Sequence, residues 1–301
     1  MKNKHIHHSI DKKLDDLEGS LGRATGKFEG EEIHAFRVKI KKFRAFLTLL
    51  AAEDPQHSRL TKSGRAQLPR LLRRFYRMTG EIRNRQLQLE RIKEYWKDRE
   101  DDLPRTYTRR LKKELAAMVT RAGNYAAKKA PVKAAKEHLR AATPAHLHRR
   151  AIKRFLRKKT GTLDELLKTP QPWEDSLFHS IRKTLKDLQY MLPDLPPGIF
   201  PKISLQEKKI SSLTDALGTF QDSCTILGLL DDKYLDPIPK GPERMVLEEW
   251  KKYWEGEKGH CKQGIYVQLQ DAGLLSPGLH QRIAADPTAR ENRHGNPKAA
   301  E

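Results

Sequence analysis

The sequence has few cysteines, few aromatic residues and no long apolar run. Its two cysteines, Cys224 and Cys261, lie outside any Cys-x-x-Cys pattern, so a zinc site is not indicated. Aromatic residues make up only 7%, which disfavours stacking on single-stranded nucleic acid. No apolar run approaches the roughly 18 residues of a membrane-spanning helix, and the first residues contain no apolar signal region. We therefore expect a soluble, cytoplasmic protein with no membrane insertion.

Common catalytic and cofactor-binding motifs are also missing. The sequence contains no Walker A loop, no Gly-x-Gly-x-x-Gly turn, no His-Glu-x-x-His pair and no Gly-x-Ser-x-Gly elbow. Two histidines, His34 and His179, could act as general acids or bases, but binding of an anion is the more economical role for them. We therefore predict no catalysis, no metal and no cofactor.

Positive charge is the property that the sequence has in excess. Lys and Arg number 60 against 39 Asp and Glu, which gives a net charge of +21. An excess of this size predicts a polyanionic partner, whether nucleic acid, an anionic membrane or a phosphate polymer. Apolar and charged residues alternate with a helical period, and no strand-like pattern of useful length occurs, so the predicted class is all-α.

The clearest helical pattern runs from Ile33 to Leu50. One broad face is apolar, and beside it lies a narrow stripe made of His34, Arg37, Lys41 and Arg44. Like charges at these spacings repel each other on a helix, so the stripe indicates an anionic ligand. For this segment alone, an ordinary solvated basic face is an equally good interpretation.

The same pattern recurs later in the chain, between Leu177 and Leu192. It contains His179, Arg182 and Lys186 at the spacing of the first stripe, with Asp187 in place of Lys42 and Gln189 in place of Arg44. A downstream segment recurs as well, because Gly80, Arg83 and Asn84 align with Gly218, Gln221 and Asp222. This internal repeat predicts two similar helical halves.

The two repeated motifs resemble those of the CHAD domain, the conserved-histidine α-helical domain. The family's first motif is matched by His34, Arg37, Val38, Lys41, Lys42 and Arg44, and its partner motif by Arg83 followed by Asn84. The second-half motif is matched by His179, Arg182, Lys186 and Tyr190. Three positions, Asn84, Asp187 and Gln189, depart from the family pattern, so the resemblance assigns them no role.

The resemblance implies an all-α fold of two pseudo-symmetric antiparallel helical bundles and the binding of inorganic polyphosphate. We expect a single domain over 1–275, with a first half at about 5–130, a connector at about 126–145 and a second half at about 146–270. Residues 276–301 are polar with Gly and Pro, and we predict a disordered tail. The motif helices of the two halves are expected to meet and to form one basic groove.

The predicted polyphosphate-binding residues combine these motifs with a further arginine stripe. That stripe follows Pro69, a residue able to kink or split the helical segment that is expected from about Arg59 to Lys97. The full set is His34, Arg37, Lys41, Lys42, Arg44, Arg70, Arg73, Arg74, Arg77, Arg83, His179, Arg182 and Lys186. Cytoplasmic polyphosphate granules are a location compatible with this function. Two alternatives are a basic helical protein that binds nucleic acid and a metal-dependent phosphatase or polyphosphate-processing enzyme.

Three other segments give specific expectations. A short first helix over 1–21 is predicted to end at Gly19 and Gly22. The Ala- and Lys-rich stretch from Ala126 to Ala142 is predicted to be a low-complexity connector with helical propensity and little to bury. The residues Arg150, Lys153, Arg154 and Arg157 repeat the spacing of the arginine stripe, and could equally form a nucleic-acid patch.

Overall fold

A computed structural model describes residues 3–54, 61–62, 65–66, 68–99, 103–191, 195 and 207–275. The fold is all-α, which confirms the predicted class. Two strands of two residues each are the exception, and they pair antiparallel with Thr61 opposite Ala66. The elements in chain order are α1 (Asn3–Lys27), α2 (Gly30–Ala51), β1 (Thr61–Lys62), β2 (Arg65–Ala66), α3 (Arg70–Tyr95), α4 (Arg105–Lys129), α5 (Pro131–Ala142), α6 (Arg149–Leu167), α7 (Asp175–Met191), α8 (Glu207–Leu229), α9 (Asp232–Leu235) and α10 (Pro242–Asp271).

The chain divides into two compact units. Unit 1 takes in the described residues up to Thr162 together with the end of α7 from Lys186. Unit 2 takes in Leu163–Leu185 and the described residues from α8 onward. The division therefore falls within α6 and within α7. The predicted halves and connector stay a prediction, and the predicted tail lies outside the described residues.

Unit 1 has a large apolar core to which α1 to α6 all contribute. The apolar positions of α2 are buried, as its helical period predicts, and Phe36 meets Phe75 of α3 edge-on at 5.5 Å between ring centroids. Burial of a side chain of this size stabilises a fold by about 1.5–3 kcal/mol. This burial fixes which edges of α2 and α3 remain accessible to solvent.

Unit 2 has its own core between α7, α8 and α10. Phe178 of α7 packs on Phe220 of α8 and on Tyr266 of α10, with ring centroids 4.9 Å and 5.5 Å apart. Trp173 completes this aromatic cluster, and its backbone N–H donates to the Tyr266 hydroxyl at 3.2 Å. The apolar period of α7 therefore directs Phe178 and Ile181 inward, and leaves His179 at the surface.

The first helix is longer than predicted. Residues Gly19 and Gly22 do not end α1, which continues to Lys27. A glycine costs a helix about 1 kcal/mol, and the burial of Leu17 and Ala24 on either side of them outweighs that cost. The chain turns only at Phe28, which has a positive φ of 53°.

The helix expected from about Arg59 starts later than predicted. Helix α3 begins at Arg70, directly after Pro69, and residues 61–66 contain the two short strands instead. Proline lacks an N–H and disfavours helix in the residue before it, but it is well suited to a helix start. The Pro69 carbonyl accepts the Arg73 N–H at 2.9 Å as an early bond of α3.

The expectation that the stretch from Ala126 to Ala142 has little to bury was wrong, whereas its predicted helical propensity agrees with the structure. Helix α4 extends to Lys129, and α5 follows after Ala130, which adopts a left-handed conformation. Three small apolar residues of α5, Val132, Ala135 and Leu139, are buried in the unit 1 core. Their spacing places them on one face, and alanine-rich composition alone hid this amphipathic pattern.

Candidate anion-binding surfaces

The predicted stripe of α2 lies along the edge of its buried face. His34 and Lys42 are exposed, whereas Arg37, Lys41 and Arg44 are partly buried. The four apolar residues between them, Ile33, Phe36, Ile40 and Phe43, are almost completely buried. Burial of this apolar face holds the α2 backbone in place, and the side chains of the stripe range from partly buried to exposed.

Arg37 packs against α3. Its Nη1 donates to the Tyr76 carbonyl at 2.7 Å, and its guanidinium carbon lies 4.4 Å from the centroid of the Tyr76 ring. Burial lowers the pKa of Arg37 from its usual value, while Tyr76 opposes that shift. An arginine starts from so high a pKa that the group remains a cation. Arg37 therefore braces α2 against α3.

A glycine makes this close approach of Arg37 to α3 possible. A Cβ atom on Gly80 would lie 2.7 Å from the Arg37 Nη1, closer than real contacts allow. The same relation occurs in unit 2, where a Cβ on Gly218 of α8 would lie 3.5 Å from Nη2 of Arg182. In each unit, the arginine of the His-x-x-Arg motif lies over the glycine that the sequence repeat aligns.

The polar partners of the second motif differ from those of the first. His179 Nδ1 lies 2.7 Å from Oε1 of Gln221, which is the residue aligned with Arg83. The Nε of Arg182 is buried, and within the described part of the chain it has no hydrogen-bond partner. Arg182 therefore lacks the carbonyl contact that holds Arg37.

Two departures from the motif lie at the end of α7, and a contact with α6 explains the first of them. Asp187 is almost buried, and its carboxylate accepts a hydrogen bond from Lys159 of α6. Gln189 has a buried side-chain oxygen without a hydrogen-bond partner among the described residues. Lys186 lies 6.0 Å from the Tyr190 ring centroid. Asp187 thus neutralises a cation of the same unit and is not oriented toward a ligand.

The arginine stripe at the start of α3 is accessible. Arg70, Arg74 and Arg77 are exposed, and Arg73 is partly buried. Arg74 is placed by Tyr125, whose ring centroid lies 5.2 Å from its guanidinium carbon. Tyr125 in turn donates to the Leu71 carbonyl at 3.2 Å. No ion pair to Arg70, Arg74 or Arg77 occurs in the part of the chain that the structure describes.

Arg83 is engaged within the protein. Its Nη1 forms an ion pair with Glu90 at 3.0 Å, and its side chain is only 15% exposed. It also lies against Gly30 at the start of α2, where an added Cβ would be 2.5 Å from Nη1. A phosphate would therefore compete with Glu90 for this group. Residues Arg83 and Glu90 are seven positions apart on one helix, so the sequence contained a signal for the pair.

Sequence reasoning missed a polar network in unit 2. Asp175 of α7 accepts from Lys258 at 3.0 Å and from Lys262 at 2.7 Å. Burial alone would raise the pKa of Asp175, but the two ammonium groups outweigh this effect and hold that pKa below its usual value. Burial, with the nearby Asp175 charge, raises the pKa of Cys224 to about 11, so this thiol stays protonated at neutral pH.

The net positive charge originates in unit 1. Basic residues outnumber acidic ones throughout α3, α4 and α6, whereas acidic residues slightly outnumber basic ones in unit 2. All the predicted site residues except His179 and Arg182 belong to unit 1. The meeting of the two motif helices in a common groove stays a prediction.

The described residues contain neither a metal-binding cluster nor a membrane-spanning helix. Within the described ranges, no three His, Cys, Asp or Glu side chains are grouped as metal ligands would be. The helices described here also include none with the length and apolarity needed to span a membrane.

Basic stripes beside buried apolar faces, repeated on successive helices, define a class of all-helical domain suited to anionic ligands. The chain belongs to the CHAD domain family, whose model matches residues 8–231. This family is associated in general with polyphosphate binding. No curated protein matches the sequence at a significant level.

Proposed function

We propose that this protein binds inorganic polyphosphate and does not alter it chemically. The observation that supports this best is the stripe of three exposed arginines on α3, which form no ion pair in the described part of the chain. An exposed guanidinium with no internal acid offers its planar donors to a phosphate oxygen. Membership of the CHAD family makes polyphosphate the first ligand to test.

The physical chemistry of the ligand supports the same choice. Polyphosphate is a flexible polyanion without bases, so it requires dense hydrogen-bond donors and positive potential, and no sequence readout. Unit 1 offers both through α2 and α3, with Lys42 and the exposed arginines as direct contacts. Arg37 and Arg182 are proposed to act mainly by fixing their helices, because each packs against the next long helix.

The absence of catalysis is part of the proposal. The candidate acid–base group His179 pairs with the amide of Gln221, whereas a catalytic histidine is commonly oriented by a carboxylate. The nearest acid on its own helix, Asp175, is already bound by two lysines. Neither arrangement favours activation of a water for attack on phosphorus.

Competition binding tests the ligand. Size-defined polyphosphate and duplex DNA would be titrated against each other at fixed salt, and the polyphosphate titration repeated across a salt series. We expect polyphosphate to displace DNA, and its affinity to fall as salt rises, because each contact releases counterions. Equal or tighter binding of DNA would contradict the proposal and favour a nucleic-acid-binding protein.

An assay for released orthophosphate tests the second part. The protein would be incubated with polyphosphate, with and without Mg²⁺, Mn²⁺ or Zn²⁺. We expect no release above a buffer control. Release that depends on a metal and disappears with a His179→Ala variant would replace binding by a phosphatase function.

A further inference from the structure

Helix α6 presents an exposed stripe of cations that the proposed site does not include. Arg150, Lys153, Arg154 and Arg157 are all exposed, and their spacing of three and four residues aligns them along one side of the helix. The opposite side is buried in the unit 1 core through Ile152, Phe155 and Leu156. The stripe extends over about 10 Å of the helix axis.

The cations of this stripe are not neutralised as other cations of unit 1 are. In the described residues, Lys153, Arg154 and Arg157 form no ion pair with an acidic side chain. By contrast, Lys159 on the buried side is paired with Asp187, and Arg110 of α4 is paired with Glu114. Three of the four cations in this exposed row therefore have no acidic partner among the described residues, and the fourth, Arg150, lies near Glu53.

One cation of the stripe, Arg150, also lies where a helix disfavours positive charge. The stripe begins in the first turn of α6, which contains no acidic residue. A helix N-terminus carries a partial positive charge, so cations there reduce stability by some tenths of a kcal/mol each. Neither the helix dipole nor mutual repulsion favours this arrangement, whereas an external polyanion would.

Helix α6 is attached to the end of α2, within the same unit. Arg154 Nη1 donates to the Ala52 carbonyl at 3.0 Å. The backbone N–H of His148 donates to Glu53 at 2.7 Å, and the His148 ring lies 2.6 Å from the other Glu53 oxygen. Burial would raise the pKa of Glu53, but the bonds from His148 outweigh it, and Arg150 adds to the lowering. The α6 stripe therefore has a fixed position relative to the α2 stripe.

We propose that the α6 stripe is a second contact surface for the same polyphosphate chain, so that long chains bind α2, α3 and α6 at once. This inference rests on the proposed function. A chain that already contacts one surface is held at high effective concentration near the other, which raises affinity without any new type of contact. A short chain fills one surface and gains nothing from the second.

The test compares chain lengths in two variants that lose equal charge. The α6 variant replaces Arg150, Lys153 and Arg157 by Gln and keeps Arg154, which contacts Ala52. The control variant replaces Arg121, Lys128 and Lys129, three exposed cations of α4, by Gln. Glutamine is a good helix former, so both variants should fold, and circular dichroism would verify this.

Affinity for tripolyphosphate and for long-chain polyphosphate would be measured for both variants and for the unmodified protein. We expect the α6 variant to lose about tenfold or more in affinity for the long chain, and to stay within about twofold for tripolyphosphate. The control should weaken both ligands by the same small factor, through diffuse charge alone.

The outcomes separate this inference from the proposed function. If the unmodified protein binds neither ligand, the proposed function fails. If it binds both, but the α6 variant keeps the ratio of long-chain to short-chain affinity, only the second surface is refuted. A loss of duplex DNA binding with unchanged polyphosphate binding would also refute it, and would identify the stripe as a nucleic-acid patch.

Discussion

Unit 1 and unit 2 each place a motif arginine over a glycine of the next long helix, yet the charges around that contact differ. The helices that meet at Arg37, α2 and α3, each contain more basic than acidic residues. Unit 2 instead binds two of its lysines, Lys258 and Lys262, to Asp175, and its acids slightly exceed its bases. The motif and the positive surface are therefore separable: the motif fixes helices, and the surrounding sequence decides whether that region attracts a polyanion.

The largest expected effect on polyphosphate affinity comes from removing the exposed positive charge that distinguishes unit 1 from unit 2. Replacing Arg70, Arg74 and Arg77 by Gln should reduce polyphosphate affinity about hundredfold, from about 1 kcal/mol for each exposed charge-assisted contact. Replacing three exposed lysines of unit 2, Lys233, Lys240 and Lys252, should change it about twofold. Isothermal titration calorimetry at one salt concentration would measure both. Equal losses would mean that affinity follows total charge alone.

The next prediction concerns the two motif arginines. The substitution Arg37→Ala should lower the free energy of unfolding by about 2 kcal/mol, because it removes a charge-assisted bond to the Tyr76 carbonyl. The substitution Arg182→Ala should cost less, because it also removes a buried Nε that has no hydrogen-bond partner in the described part of the chain. Urea unfolding followed by circular dichroism would compare them. A larger loss for Arg182→Ala would contradict this assignment.

Replacing Gly80 or Gly218 by alanine should change the stability by a smaller amount, with opposite signs at the two positions. The substitution Gly80→Ala would force Arg37 to move, so the lost contact should exceed the gain in helix propensity and destabilise by about 1 kcal/mol. The substitution Gly218→Ala has room at 3.5 Å, and should stabilise by up to about 1 kcal/mol. Thermal melting would give the two signs. Stabilisation by both would show that Arg37 relocates without cost.

The smallest expected effect is a difference in acid sensitivity. Since the folded pKa of Asp175 lies below the unfolded value of about 3.9, its carboxylate stabilises unit 2 above about pH 4. That contribution is lost as the pH falls through the lowered folded pKa. Stability curves of the unmodified protein and of Asp175→Asn should therefore differ at pH 7 and converge toward pH 2. A constant difference across this range would exclude the proposed ion network.

Helical period was enough to predict the long helices and their buried faces. Phe36, Ile40 and Phe178 lie at apolar positions of this period, and all three are buried. Helix ends were predicted less well, because Gly19 and Gly22 disfavour helix locally while burial of α1 favours it. The low helix propensity of a glycine costs about 1 kcal/mol, and burial of apolar side chains in the core outweighs this cost.

The candidate site could be predicted only as a set of cations. Whether an arginine is available to a ligand depends on its neighbours in the fold, and those of Arg37 lie 39 residues away. The partners of Asp175 are 83 or more residues distant, so no local pattern indicates them. Arg83 is the exception, since Glu90 on the same helix already indicated a partner.

The contact between Arg154 and Ala52 has a consequence for synthesis of the chain. The Ala52 carbonyl lies just past the last residue of α2, and its side-chain donor, Arg154, is 102 residues further along the chain. At about 5–20 residues per second, the ribosome takes roughly 5–20 s to supply it. The end of α2 therefore lacks this contact while α3, α4 and α5 emerge, and the core of unit 1 is complete only after the end of α7, with Leu188 and Met191, has left the exit tunnel.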